Sequence, residues 1–360
     1  MTHLLVIRNS AMGDVALTVP AVKAVLDAYP DIKITMLSHD KFAPFFHGID
    51  RLEFFAADLE GEHRGVTGIW RLIGRLKNLG TFDMVLDLHA VIRSWMISSY
   101  FAAIGIPVVR IDKGRREKKA ITRREHKIFK RLKPSYERYA DVFARAGFPV
   151  NIGEGPWIAD PQFPRSFFEE EALLPKKEKW IGIAPFSRHQ GKNWPEGKVH
   201  QLVMELAASG HRVFLFGGGE KEKAKLEEWA SHPLVRSLAG RLSLNEELGV
   251  IQQMDVMVSM DSSNLHMASL VGTPTVSIWG STHSYAGFEP LGENRALKVE
   301  IDPADLTCRP CSVFGNKPCF RSDYACLHWI EVNEVRAKIN QALGDQLGSD
   351  VKSGKKRKDH

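Results

Sequence analysis

The chain alternates strand-like and helix-like segments twice, on either side of a proline-rich passage, and this restricts the folds open to it. "HLLVIRN" and "IKITMLSH" read as buried strands flanking the helix pattern "VALTVPAVKAVLDAYP". The strand "FDMVLDLHA", the helix "VIRSWMISSYFAAIG", the strand "PVVRID" and the amphipathic helix "SYERYADVFARAGFP" follow. Residues 153–179, "GEGPWIADPQFPRSFFEEEALLPKKEK", sustain no period and read as a linker. The pattern then restarts with the strand "WIGIAPFS" and a helix opened by Pro195 and closed by Gly210. It continues as "HRVFLFGG", "EKEKAKLEEWASH", "VRSLAG", "LNEELGVIQQM", "VMVSM", "SNLHMASLVG" and "PTVSIWGS". Such alternation implies parallel sheets with right-handed crossovers. The expected class is α/β, with two doubly wound, Rossmann-like domains facing a central cleft. Residues 1–155 form one domain and 156–330 the other. A helix over 331–347 is free to pack back on the first, and a basic, disordered tail occupies 348–360.

In open α/β sheets ligands sit at the C-terminal ends of the strands, so the strand-exit loops carry the chemistry. The first such loop, in "VIRNSAMGDVALTVPAVKAV", has a single glycine, Gly13, followed by Asp14. A nicotinamide dinucleotide fold would need G-x-G-x-x-G there. A carboxylate at a helix N-terminus suits the dipole but not a pyrophosphate. Three loops of the second half are better suited to a phosphorylated ligand. "APFSRHQGKNWPEGK" places Lys192 at a helix start, as a phosphate cation or a solvated one. "FLFGGGEKEK" lets a ligand approach glycine backbone, with Glu222, or Glu220 second, able to accept from ribose hydroxyls or merely complement the dipole. In "VSMDSSNLHMASLVG", Asp261 ends a strand and Ser262 and Ser263 open a helix, with His266 reaching the same ligand or packing.

Charge is unevenly placed. The net +6 conceals residues 113–133, where eleven Lys/Arg face two Glu, and a tail from Asp350 with five against two. The stretch is either a solvated face or a polyanion contact. It lacks aromatic–basic interleaving, which argues against nucleic acid as a partner. No apolar run approaches the ~20 residues of a bilayer span, and no signal peptide opens the chain, so the expected compartment is the cytoplasm.

These segments, in this order and spacing, resemble the bacterial lipopolysaccharide heptosyltransferases of glycosyltransferase family 9. The resemblance rests on "SAMGDVALTVPA", "FDMVLDLHAVIRS", "APFSRHQGKNWPEGK" and "SLAGRLSLNEELGVIQQMDVMVSMDSSNLHMASLVGTPTVSIWGST", and spans about residues 3–345. It implies a GT-B fold, an ADP-L-glycero-D-manno-heptose donor and an inverting displacement. Asp14 would be the general base, with Met12 and Gly13 completing its loop and Gly13 permitting a tight turn. Ser187, Lys192, Glu222, Asp261, Ser262, Ser263 and His266 would hold the donor. Ser263 stands where the family has glycine, which narrows backbone freedom. The acceptor would be a phosphorylated Kdo–lipid A core at the inner leaflet, met by Arg93, Arg115, Arg116, Arg123 and Arg124, with His89 lining the cleft or packing. That makes the enzyme peripheral at the inner membrane. No "DxD" pair offers a donor metal, so catalysis would need no cofactor, cations and helix N-termini neutralising the leaving ADP.

All four cysteines, Cys308, Cys311, Cys319 and Cys326, fall in "CRPCSVFGNKPCFRSDYAC". The spacing suits a structural zinc or iron–sulfur site, or else reduced thiols or a labile disulfide. Two other functions fit parts of the sequence. A nucleotide-sugar 2-epimerase shares the fold but needs no basic acceptor surface, and a nucleic-acid-binding protein would use the basic stretch.

Overall fold

The computed structural model describes residues 1–171, 173–291 and 296–344. The first half runs β1 (Thr2–Ile7), α1 (Met12–Ala16), α2 (Val19–Ala28), β2 (Ile32–His39), β3 (Leu52–Ala57), α3 (Gly65–Lys77), β4 (Met84–Asp87), α4 (Ile92–Ala103), β5 (Val108–Arg110), α5 (Arg115–Ile121) and α6 (Ser135–Arg145). After a short α7 (Arg165–Glu170), the second half runs β6 (Trp180–Ala184), α8 (Glu196–Ala208), β7 (Arg212–Leu215), α9 (Glu220–Trp229), β8 (Val235–Ser237), α10 (Leu244–Gln252), β9 (Val256–Met260), α11 (Ser263–Leu270), β10 (Thr275–Trp279), β11 (Ala296–Glu300), α12 (Ala325–His328) and α13 (Val332–Leu343).

Both sheets are parallel, in the orders β3-β2-β1-β4-β5 and β11-β10-β9-β6-β7-β8. Strand order reverses between β1 and β4 in one sheet and between β6 and β9 in the other. Crevices open at such switch points. The loops leaving β1, β4, β6 and β9 are therefore the ones that topology turns toward a ligand. The helix expected after β1 is divided in two. Pro20 has no N–H to donate to residue 16, so the chain breaks at Leu17–Thr18, where the Thr18 hydroxyl donates to the Val15 carbonyl (2.7 Å). The short α1 is thereby freed to tilt toward the second domain.

The linker passage is more ordered than its lack of period suggests. Phe168 of α7 is fully buried and stacks on Trp180 at 5.4 Å, and Trp157 N donates to the Leu270 carbonyl (2.9 Å). Burying an aromatic of that size stabilises by roughly 1.5–3 kcal/mol. The C-terminal helix does not return to the first domain. Val332, Val335 and Ile339 of α13 pack with Val276 and Ile278 in the core of the second. Lys198 Nζ and Trp194 Nε1 hold its entry by donating to the Ile330 carbonyl. The basic tail lies outside the described residues. Among those described, no helix is long and apolar enough to cross a membrane.

Candidate active site

Two cavities of about 590 and 600 Å³ meet at Asp14. Asp14 is the third residue of α1, and its Oδ2 lies 2.6 Å from Nη2 of the buried Arg8. Arg8 Nη1 donates to the Leu88 carbonyl (2.8 Å), tying the carboxylate to the switch point between β1 and β4. Tyr139 is buried beside the pair. Desolvation first, and the facing Asp14 carboxylate after it, hold its phenol above the usual value. His89 closes the same wall and stays neutral. Burial, then the Arg8 and Lys113 charges, push it down to about 3, and its Nδ1 accepts from Asn9 N (3.4 Å).

Gly13 does a different job from the tight turn expected of it, because its φ is not positive. A Cβ there would lie 2.9 Å from His266 Cδ2 and 3.5 Å from Ser263 Cα. Glycine is required because α1 and α11 approach closely across the cleft. His266 is buried, and desolvation pushes it down to about 4, so it is a neutral partner in this contact.

The donor-side cavity gathers Ser187, Lys192, Glu222, Asp261, Ser262, Ser263 and His266 together with Met12, Gly13 and Asp14. Two expectations change in detail. Lys192 is not a free cation, since its Nζ lies 2.9 Å from Asp261 Oδ2 and donates to the Asp261 carbonyl (3.1 Å). The carbonyl takes one ammonium N–H, while Asp261 Oδ2 faces the ammonium as an ion pair without a hydrogen bond. Ser262 is the N-cap of α11, but its hydroxyl pairs with Ser259 Oγ (3.1 Å), so no side chain caps the helix. The first amides of α11 are thus left to meet an anion. Ser263 has ordinary helical backbone, so serine in place of glycine brings no strain. Glu222 accepts from Gly218 N (2.8 Å) at the cavity edge, whereas Glu220 does not line it. Glu247, which the sequence reading missed, also lines this cavity. Burial pushes its carboxyl up to about 7, against the hydrogen bond from Asn264 Nδ2 (3.1 Å). Its signal was redundancy: Glu246 already completes the capping box with Ser243, so a second glutamate has no capping role.

The other cavity is cationic. Arg8, Lys113, Arg115, Lys118, Lys119, Arg138 and Lys317 line it, against Asp14 as its one acidic residue. Burial lowers Lys118 to about 8, and its Nζ sits 4.4 Å from the Phe288 ring centre. Of the arginines expected here, Arg115 lines the cavity and Arg116 an adjoining hollow. Arg93, Arg123 and Arg124 are exposed and line neither. Arg124 lies 4.2 Å over Phe320 instead.

Another part of the basic stretch clamps the halves together. Lys127 Nζ donates to the carbonyls of Thr307, Cys308, Arg309 and Pro310 (2.8–3.1 Å). Arg131 pairs with Glu289 at 2.9 Å, and Leu132 N and Ser135 N donate to the Tyr285 and Gly287 carbonyls. The structure therefore splits the stretch between a ligand wall and a domain contact.

All four cysteines are free. Among the described residues no group of three or more His, Cys, Asp or Glu is placed to hold a metal ion. Cys326 packs with Leu306, Ala325 and Leu327, and that burial pushes its thiol up to about 12.

Two facing α/β domains, with an uncapped helix N-terminus on one and a carboxylate on the other, have the layout of a group-transfer enzyme. Known proteins agree. The sequence model of glycosyltransferase family 9 (heptosyltransferase) matches residues 69–311. The chain is 24% identical over 331 residues to lipopolysaccharide heptosyltransferase 1 of Pseudomonas aeruginosa, covering 86% of each. Its fold matches a family 9 glycosyltransferase from Veillonella parvula with TM-score 0.72 at 15% identity, over 96% of this chain and 98% of that one. It also matches E. coli heptosyltransferase WaaC with ADP-2-deoxy-2-fluoro heptose at 0.64 and 20% identity, over 94% and 99%. The fold is therefore GT-B, and the enzyme is a glycosyltransferase. The chain belongs to glycosyltransferase family 9, the heptosyltransferases.

Proposed function

We propose that this enzyme moves heptose from ADP-L-glycero-D-manno-heptose to a phosphorylated Kdo–lipid A inner-core acceptor, with inversion, while peripheral at the cytoplasmic face of the inner membrane. The observation that carries the reading is the position of Asp14 on the shared wall of the cavity at the α11 N-terminus and a cationic one. The names of the relatives, lipopolysaccharide heptosyltransferases among them, support the substrate classes. No nucleic acid is needed as partner and no cofactor for the chemistry.

Asp14 accepts the proton of the attacking acceptor hydroxyl as that oxygen bonds to the anomeric carbon. The bond from that carbon to the diphosphate oxygen breaks, and ADP takes the electron pair. A carboxylate base of this kind works by placement rather than strength, and contributes ~10²–10⁴-fold. Arg8 supplies the placement by holding Oδ2. The α11 amides and the Lys192 ammonium meet the charge gathering on ADP. Lys113, Arg115, Lys118, Lys119 and Lys317 of the second cavity take the acidic groups of the acceptor.

Transfer from ADP-heptose by Asp14→Asn tests this. Turnover falls at least ~10²-fold while ADP affinity in calorimetry stays that of the parent. Turnover near the parent rate would remove Asp14 from the base role. Faster transfer from a UDP- or GDP-sugar would replace the donor.

A further inference from the structure

Helices α3 and α4 cover one face of the first sheet with Ile69, Leu72, Ile73, Ile97 and Phe101. Their outer surface is unusual. Ile92 is 82% exposed, Val66 61%, Trp70 55% and Trp95 54%. Trp70 meets the Tyr100 ring edge-on at 5.7 Å, so the two helices present one continuous aromatic surface. Neither helix contains an Asp or Glu, whereas Arg71, Arg75, Lys77 and Arg93 lie on them and Arg64 precedes α3. Arg75 is the one held by a neighbouring acid, Glu62, at 2.7 Å. Large exposed apolar patches mark interaction sites, and tryptophan with a rim of basic residues is the composition that suits a membrane–water interface.

The patch also runs into the site. Trp95 borders a hollow with Lys113, Arg115, Arg116 and Arg138, three of which (Lys113, Arg115 and Arg138) continue into the cationic cavity that ends at Asp14. A head group held in that cavity can keep its acyl chains at the level of Trp95. A second copy of the chain would have to bring a surface complementary to these cations, whereas an anionic leaflet supplies it without further design.

We propose that the outer face of α3 and α4 is the surface by which the enzyme lies on an anionic lipid bilayer, Trp70, Trp95 and Ile92 entering the interface and Arg64, Arg71 and Lys77 meeting head groups. This rests on the lipid-borne acceptor proposed above and assigns the docking to a different segment from residues 113–133.

The test is sedimentation of the full chain with vesicles of equal parts phosphatidylglycerol and phosphatidylcholine, and with phosphatidylcholine alone. The parent protein sediments with the mixed vesicles only. Trp70→Ser/Ile92→Ser weakens that partition by ~10-fold or more, two interfacial anchors being lost. Arg64→Glu/Arg71→Glu weakens it comparably at low salt, and serves as the independent arm if the first variant melts early. Heptose transfer to a deacylated, water-soluble acceptor is unchanged in both variants, and that assay reads the catalytic function separately from docking. Variants that sediment like the parent would overturn the proposal. So would a parent that ignores vesicles but elutes as a dimer dissolved by Trp70→Ser/Ile92→Ser.

Discussion

Gly13→Ala sets two effects of opposite sign against each other. Alanine is the better helix former by ~0.8–1 kcal/mol, so α1 by itself gains stability. In the structure, however, the new methyl would lie 2.9 Å from His266 Cδ2, closer than side-chain carbons tolerate, with Ser263 Cα behind it at 3.5 Å. His266 is buried among α11 neighbours and cannot swing away freely. Overpacking of this kind costs ~1–3 kcal/mol. The clash arises only when the domains meet, because residue 13 and residue 266 belong to opposite halves. The cost therefore falls on closure rather than folding. The expected result is a melting temperature equal to or above the parent's, unchanged ADP affinity, and kcat/KM for transfer lowered by ~5–100-fold. His266→Ala removes the obstructing ring. In a double-mutant cycle the second substitution then adds little to the first, with a coupling of at least ~1 kcal/mol. Strictly additive losses, or full activity in Gly13→Ala, would show that α1 and α11 do not close on each other during turnover.

Titration supplies two further predictions. Burial lowers Lys118 from 10.5 to about 8, so its charge is present below that pH and fades above it, while stability from this group rises up to the unfolded value. Acceptor KM should climb between pH 7 and 9 in the parent, and Lys118→Arg, charged throughout, should flatten that climb. The opposite sign holds for Glu247, which burial raises to about 7, making it neutral below and anionic above in the cavity proposed to receive the diphosphate. Calorimetry of ADP at pH 6 and pH 8 should show weaker binding at the higher pH, and Glu247→Gln should abolish the difference. A parent affinity independent of pH would place the carboxyl out of the ligand's reach.

The strand–helix rhythm was readable because parallel strands are buried on both faces, and "HLLVI" or "VMVSM" has no other comfortable home. The elements passed over, β3, α3 and β11, lack that signature. Leu52–Ala57 is only partly buried, and Gly65, Gly68 and Gly74 interrupt the apolar stripe of α3. At the site, loops were legible and partners were not. The sequence could nominate Lys192 and Asp261 separately, but 69 positions part them, and only the adjacency of β6 and β9 makes them an ion pair. Likewise Arg8, ending the apolar strand "HLLVIR", was passed over. Its role in fixing Asp14 depends on a helix starting at Met12 and bringing that carboxylate back over the strand end. The basic stretch was misjudged for a related reason. Charge density says that partners exist, and only tertiary contacts say whether they are ligands or carbonyls of the same chain.

That division of the stretch has a mechanical consequence. The cationic cavity is not a property of one domain, since Lys113, Lys118 and Arg138 come from the first while Phe288, Phe314, Asn316 and Lys317 come from the second. A polyanion touching both sets gains its full binding free energy only when the halves are together, and a ligand biases an equilibrium by its differential affinity for the two states. The anchor that holds the halves, Lys127 on four carbonyls of residues 307–310, lies six residues beyond the end of α5, which carries Lys118 and Lys119 to the cavity wall. Acceptor contacts and the domain clamp thus share one short length of chain. Asp14, with its oxygen held by Arg8 from the same domain, needs no rearrangement of its own. What the proposed acceptor must complete is the wall opposite it, and the cations proposed to recognise it lie on the segment that latches that wall in place.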